Sequence, residues 1–350
     1  MYILLAILAF GILIASHELG HFLAAKACGV RVNEFAIGMG PTLLKKQGKE
    51  TKYSLRLLPI GGFCAMEGED EESEDPRAFS SQKPWKRFII LVAGAAMNFL
   101  LGLIIVIIIF SQYNYFAGNT VTSLLDGFPL SNELHVGDTV YSIDGERIHY
   151  ADDFSTFMSR AGGEPVDMVV VRDGEKVVLD NLPLKLTEYN INGQIVMRYG
   201  ITFNTIEAGF KDKLDYSWYT ATNFVRLVRI SLTDLITGNV GVKDLSGVVG
   251  IVDTINDVGA ASKTTSDALL NIAYLCAFIA VNLAVMNMLP IPALDGGRVF
   301  LLIVTAIIEK LTGKKIDPKY EGYIHAIGMV LLLALMAYVM FNDIVRLIHG

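Results

Sequence analysis

The sequence predicts a polytopic α-helical membrane protein with four transmembrane helices, an extracytoplasmic β-rich domain and a cytoplasmic-side β-hairpin or sheet element. Three observations carry this. The 350 residues are 52% hydrophobic and only 19% charged, with a mean hydropathy of +0.45, a balance that few soluble chains show. Four stretches are apolar for long enough to cross a bilayer. Basic residues gather in two of the three connections between them, as expected of cytoplasmic loops. The net charge of −7 argues against a nucleic-acid partner. Three cysteines, Cys28, Cys64 and Cys276, lack metal spacing and imply no disulfide framework.

The first span is expected from about Tyr2 to Ala25, and Tyr2 to Ala15 carries no charge. It has no basic n-region, so it reads as a retained helix rather than a cleaved signal peptide. Its inner part holds Ser16-His17-Glu18-Leu19-Gly20-His21, of the form H-E-x-x-H. On a helix, residues four apart share a face, so His17 and His21 can both direct a ring nitrogen at one zinc ion. Glu18 projects to the side, where it can serve as a base toward water instead of a ligand. Ionisable groups inside a membrane-length segment are costly unless they have a function, which favours a site over a structural role.

The second span is expected over Phe88–Phe110, the third over about Leu269–Leu289 and the fourth over about Ile324–Phe341. Eleven Lys and Arg, among them Lys45, Lys46, Lys86 and Arg87, lie between the first two, and Arg298, Lys310, Lys314, Lys315 and Lys319 between the last two. Both loops are then cytoplasmic, and the N-terminus, the long 111–268 region and the C-terminus face outward. Entering from outside, the chain reaches His17 after about 23 Å of helix, in the inner part of a core about 30 Å thick. The third span also enters from outside and ends in Asn287-Met-Leu-Pro290-Ile-Pro292-Ala-Leu-Asp295-Gly-Gly. Asp295 thus arrives near the same leaflet as a third, carboxylate ligand, leaving the fourth zinc position open. Pro290 and Pro292 break the helix, which is tolerated at membrane depth only where backbone is packed in protein or lines a wet cavity.

The pairing of His17-Glu18-x-x-His21 with Asn287-x-x-Pro290-x-Pro292-x-Leu294-Asp295-Gly296 resembles the site-2 protease family of intramembrane zinc metalloproteases. Gly94-x-x-x-Asn98 in the second span matches another signature of its bacterial members. The resemblance covers nearly the whole chain. It implies Zn2+ as cofactor, His17, His21 and Asp295 as ligands, Glu18 as catalytic base and Asn287 as a substrate-positioning residue. It further implies a multi-pass protein of the bacterial cytoplasmic membrane. The implied substrates are single-span membrane proteins, anti-sigma-factor-like or signal-peptide remnants, already cut by a site-1-type protease. Asn98 and Gly94 fit close helix packing as well, and the alternative for Asn98 is to support a metal ligand from behind or to face the substrate.

In chain order, residues 1–110 form the N-terminal membrane half. Within it, Val32–Met39 and Tyr53–Ile60 alternate partially and predict a small sheet, whose exposed edge can receive an unwound substrate. The acidic run Glu67–Asp75 reads as a solvated loop. Residues 111–187 are expected to be β-rich, with a strand over Thr139–Ile143, a helix from Asp152/Asp153 to Ala161, and a hairpin of Val166–Arg172 with Glu175–Leu179 around Asp173-Gly174. Leu134-His-Val-Gly137-Asp138 followed by Asp144-Gly145 resembles a single PDZ-like domain, although Leu125–Glu133 departs from the usual pattern. Residues 188–268 predict a Tyr189–Phe203 hairpin turning at Asn192-Gly193, then an amphipathic helix through Trp218, Ala221, Val225, Val228, Leu232 and Leu235. Leu245-Ser-Gly247-Val-Val-Gly250-Ile251 resembles a family stretch with no mechanism attached. Residues 269–350 form the C-terminal membrane half. Two rival readings remain from the sequence: a catalytically silent PDZ-bearing membrane scaffold, and a metal transporter with broken helices.

Overall fold

The architecture follows from where the chain can hide its backbone polar groups. The computed structural model describes residues 2–69, 73–191, 193–241, 243, 245, 247–313 and 318–349. In chain order the elements are α1 (Tyr2–Cys28), β1 (Val32–Gln47), β2 (Lys52–Met66), α2 (Pro84–Phe110), β3 (Tyr115–Leu124), β4 (Thr139–Ile143), β5 (Glu146–Arg147), α3 (Ala151–Ala161), β6 (Val166–Arg172), β7 (Glu175–Leu182), β8 (Thr187–Ile191), β9 (Gln194–Arg198), β10 (Ile201–Glu207), α4 (Phe210–Thr237), α5 (Val248–Ala261), α6 (Thr265–Asn287), α7 (Asp295–Thr312) and α8 (Pro318–His349). Contacts divide the chain into one unit of residues 1–109 with 220–350 and another of residues 110–219.

In the first unit, four helices are long and apolar enough to cross a membrane: Tyr2–Cys28, Pro84–Ser111, Thr265–Asn287 and Gly322–Arg346. These coincide with the four expected spans. On α1, Leu4, Leu8, Ile12, Leu19 and Leu23 are exposed, whereas Ala6, Leu13, Gly20, His21 and Ala25 are buried. One face of the helix is therefore apolar and outward, and the other packs into protein. Ala6 and Leu13 join Ile255 of α5 and Ile272, Cys276, Ile279 and Ala280 of α6 in one core cluster. A second cluster gathers Ala25, Val30, Val32, Cys64, Met66, Ile90, Leu91, Val299 and Leu302, and so ties the end of α1 to β2, α2 and α7.

Strands β1 and β2 pair antiparallel, and Glu34–Ile37 lie opposite both Lys52–Leu55 and Gly62–Ala65. Glu34 fastens the sheet through Ser54 Oγ at 2.6 Å, Lys52 Nζ at 3.0 Å and an Arg56 guanidinium nitrogen at 3.0 Å. Burial alone would raise its carboxyl, but these three partners pull it down to about 2.

Two helices were not foreseen. Residues 295–312, read as part of a basic loop because of Arg298 and Lys310, form α7, whose Val299 and Leu302 reach the second core cluster. The proline break thus restarts a helix at Asp295 instead of ending one for good. Residues 248–261 form α5, and its Gly247 and Gly250 N–H groups donate to Asp343 of α8 at 2.9 Å each. A carboxylate at a helix N-terminus satisfies donors that have no partner within the helix. Lys314 and Lys315, residues 70–72 of the acidic run, and Ser246 lie outside the described residues.

In the second unit, the sheet runs β10-β3-β4-β6-β7, with β5 paired to β4. The expected hairpin of Val166–Arg172 is present as β6 and β7, and Asp173 and Gly174 both adopt positive φ, as a type I′ turn demands. The Tyr189–Phe203 hairpin is corrected. It closes at Arg198, between β8 and β9, and the following Ile201–Glu207 leaves it to pair with β3, so the sheet draws an edge strand from beyond residue 187. Asn192 of its turn lies outside the described residues. Residues 125–137 form successive turns without a helix. The expected amphipathic helix is α4, longer than anticipated at 28 residues.

The second unit is centred on Asp138, which is buried and clamped by Arg172 through two bonds of 2.7 Å and by the His135 N–H at 2.8 Å. Burial alone would push its carboxyl up, yet these partners hold it below the usual carboxylate range. The ionised form therefore belongs to the folded state: its stabilisation is complete above about pH 4 and is lost as the pH falls through the folded value. Arg172→Met leaves this carboxylate buried without its cation. In the detergent-solubilised chain it is expected to raise the equilibrium susceptibility of residues 111–207 to proteolysis by about a hundredfold at pH 7, about 3 kcal/mol. Proteolysis unchanged from wild type at pH 7 would contradict the clamp.

Candidate metal centre

Helix geometry brings His17 and His21 one above the other on the packed face of α1, but their approach to a common point depends on α2. A β-carbon added to Gly20 would lie 2.3 Å from the Ala93 carbonyl oxygen, and one added to Gly94 would lie 2.3 Å from His21 Nε2 and 2.7 Å from His17 Cε1. The two helices therefore cross at glycine against backbone, the close packing that small residues allow. The His21 Nδ1–H donates to the Ile90 carbonyl at 2.8 Å, which leaves Nε2 with its lone pair toward the centre.

Asp295, the first residue of α7, completes the group. His17 Nε2 lies 3.1 Å and His21 Nε2 3.2 Å from Asp295 Oδ2, and the two Nε2 atoms are 3.2 Å apart. Zinc with bonds of about 2.0–2.1 Å in tetrahedral geometry spaces its ligands about 3.3 Å apart. The near-equilateral triangle is thus one face of a tetrahedron, with the fourth corner open. Among the described residues this is the one group of three such donors drawn together for a metal ion. Two neutral imidazoles and one carboxylate suit zinc in its catalytic ligand set.

Glu18 stands outside the triangle. Its carboxyl lies beside the Cys64 backbone, and a β-carbon on Gly62 would lie 3.2 Å from its Cγ. Strand β2 is thereby laid against the candidate base, where the expected small sheet would meet a substrate; which residues make the contact, Gly62 against Glu18, is decided by the fold. Burial pushes the neighbouring Cys64 thiol up to about 12.

Asn287, the last residue of α6, sets its side-chain amide 3.4 Å from His17 Nδ1. Asn98 lies one turn beyond Gly94 on α2, is buried, and has no partner for its Oδ1 among the described residues. The structure thus brings His17, His21 and Asp295 together, sets Glu18 and Asn287 beside them, and leaves Asn98 in the helix packing one turn away.

Comparison with known proteins agrees with this arrangement. The family model for peptidase family M50 matches residues 5–335. A protein of Clostridium perfringens (strain 13 / Type A) is 37% identical over 347 residues, 99% of each chain. The zinc metalloprotease RasP of Bacillus licheniformis is 28% identical over 430 residues, covering 97% of this chain and 98% of its own. The regulator of sigma-W protease RasP of Bacillus subtilis (strain 168) is 28% identical over 424 residues, 97% of each chain. On the family match and the extent of these similarities, the chain belongs to peptidase family M50.

Proposed function

We propose that this zinc metalloprotease cuts single-span membrane proteins within their transmembrane segments, after a site-1-type protease has trimmed them, in the bacterial cytoplasmic membrane. The observation that carries the reading is the placement of the histidine pair, on the packed face of a 27-residue helix long and apolar enough to cross a membrane. A substrate that controls a sigma factor is supported by the name of the B. subtilis relative. The basic loops between the first and second spans and between the third and fourth spans support a cytoplasmic-side centre, with residues 111–187 as an extracytoplasmic PDZ-like domain.

His17, His21 and Asp295 hold the zinc. When bound, it supplies Lewis-acid polarisation of the scissile carbonyl and acidifies water at the open corner. Glu18, beside the Cys64 backbone on β2, takes the proton from water and passes it to the leaving nitrogen. Backbone of a membrane helix must be unwound before it can be cut. The β1–β2 sheet, laid against Glu18 through Gly62, offers strand hydrogen bonds to the freed N–H and C=O groups. The Asn287 amide has two ends: one lies against His17 Nδ1, and the other, without a partner among the described residues, can meet the substrate backbone. Asn98 Oδ1 is buried with no partner among the described residues, and it meets a substrate N–H only where the helices around it part.

Three predictions follow the division of roles. Glu18→Gln is expected to lower kcat roughly 10²–10⁴-fold with zinc content unchanged, whereas Asp295→Asn weakens zinc binding at least about a hundredfold; zinc stoichiometry and turnover of a single-span substrate distinguish them. Gly94→Ala places a carbon where the His21 ring now sits, so zinc affinity is expected to fall at least about tenfold. Wild-type affinity in that variant would mean that α2 does not set the ring. Finally, Asn287→Ala and Asn98→Ala are expected to slow a helical substrate more than one with helix-breaking residues near the cut. Equal slowing of both substrates would exclude the substrate-facing roles.

A further inference from the structure

The turn that delivers Asp295 is held from outside by the last helix. Between the end of α6 at Asn287 and the start of α7 at Asp295, residues 288–294 redirect the chain and set where the carboxylate sits. Within the turn, the Ile291 N–H donates to the Leu289 carbonyl at 2.7 Å and the Leu294 N–H to the Ile291 carbonyl at 3.1 Å. Neither bond holds Ala293, whose φ of +81° is in the left-handed region that a β-carbon disfavours. Its N–H instead donates to Nδ1 of His325, on α8, at 3.1 Å. One turn along the same face, Gly328 lies against Pro292: a β-carbon there would come within 2.3 Å of Pro292 Cβ and 2.8 Å of its carbonyl carbon. Elsewhere α8 is largely outward, with Met329, Val330, Leu331, Leu333 and Leu335 exposed. The His325–Gly328 contact is thus one specific docking point on this helix, and the Asp343 cap of α5 is another.

We propose that His325 is a positioning residue for the metal. By accepting the Ala293 N–H, and with Gly328 seating Pro292, α8 keeps Ala293 in its disfavoured conformation and so aims Asp295, two residues on, at His17 and His21. A backbone amide can only donate, so Nδ1 acts as the acceptor. The side-chain oxygen of asparagine can take nearly the same place, while alanine offers nothing. The proposal rests on the zinc reading above, and the same measurement separates the two.

The test uses the full chain in detergent, measuring zinc affinity by competition with a chelator of known affinity, and kcat and KM on a single-span substrate. His325→Ala is expected to weaken zinc roughly ten- to a hundredfold, the range for residues that orient ligands, with kcat at limiting zinc falling and KM little changed. His325→Asn is expected to recover most of the affinity. Glycine adopts positive φ without penalty, so in an Ala293→Gly background the loss caused by His325→Ala should shrink to about threefold or less. The proposal is overturned if His325→Ala binds zinc as tightly as wild type, if His325→Asn is as weak as His325→Ala, or if the loss is the same in both backgrounds, which is the mark of general packing damage. Failure of the wild-type chain itself to bind zinc overturns the metal reading instead.

Discussion

The close crossing of α1 and α2 is the contact on which the centre depends. A helix delivers His17 and His21 to one face, but a ring pair needs walls to fix its rotamers, and Gly94 supplies the flat surface that the rings rest against. The Ile90 carbonyl then selects the His21 tautomer that presents Nε2. Any side chain at residue 94 would occupy the space that the imidazoles need. In hydrocarbon, where packing substitutes for the hydrophobic drive between helices, glycine serves both the crossing and the chemistry.

Around that crossing, three further pieces arrive by different routes. Strand β2 brings Gly62 and Cys64 beside Glu18, so the residue assigned as base packs against strand backbone. The broken helix after α6 restarts at Asp295 and places a carboxylate across from both histidines. The last helix steadies that restart through Ala293 and Pro292, and at its other end Asp343 caps α5. Helix α5 shares a core cluster with α1 and α6, so the helix bearing the histidines is packed on the side away from its lipid-facing residues. Arg298 also pairs with Glu69, tying the first turn of α7 to the segment after β2.

The second unit is stabilised by a different logic. It has a sheet with tight I′ turns and a buried Asp138 paired with a partly exposed Arg172 in place of long apolar helices. Stacked rings add to it: Phe116 lies on Tyr216 with centroids 4.0 Å apart, and Tyr216 donates to Asp152 at the start of α3. The beginning of α4 is therefore part of this unit's packing, although the same helix continues into the other unit.

The sequence by itself determined what is local. Hydropathy marks four spans because a bilayer admits only backbone satisfied within its own segment, and i, i+4 spacing marks the histidine pair because a helix makes those residues neighbours. The type I′ hairpin was legible for the same reason, since Asp173-Gly174 carries its own conformational requirement. Asp295 was legible only because proline, glycine and acid sit together where a span ends. Tertiary structure decided the rest. The restart of a helix at Asp295, the attachment of β10 to β3, the placing of Asn287 against His17 and the seat of Ala293 on His325 all depend on partners far along the chain, such as His17, 270 residues from Asn287, or His325, 32 residues from Ala293. Spacing along a chain encodes which residues share a helix face; it does not encode which face of a distant helix will be smooth enough to meet it.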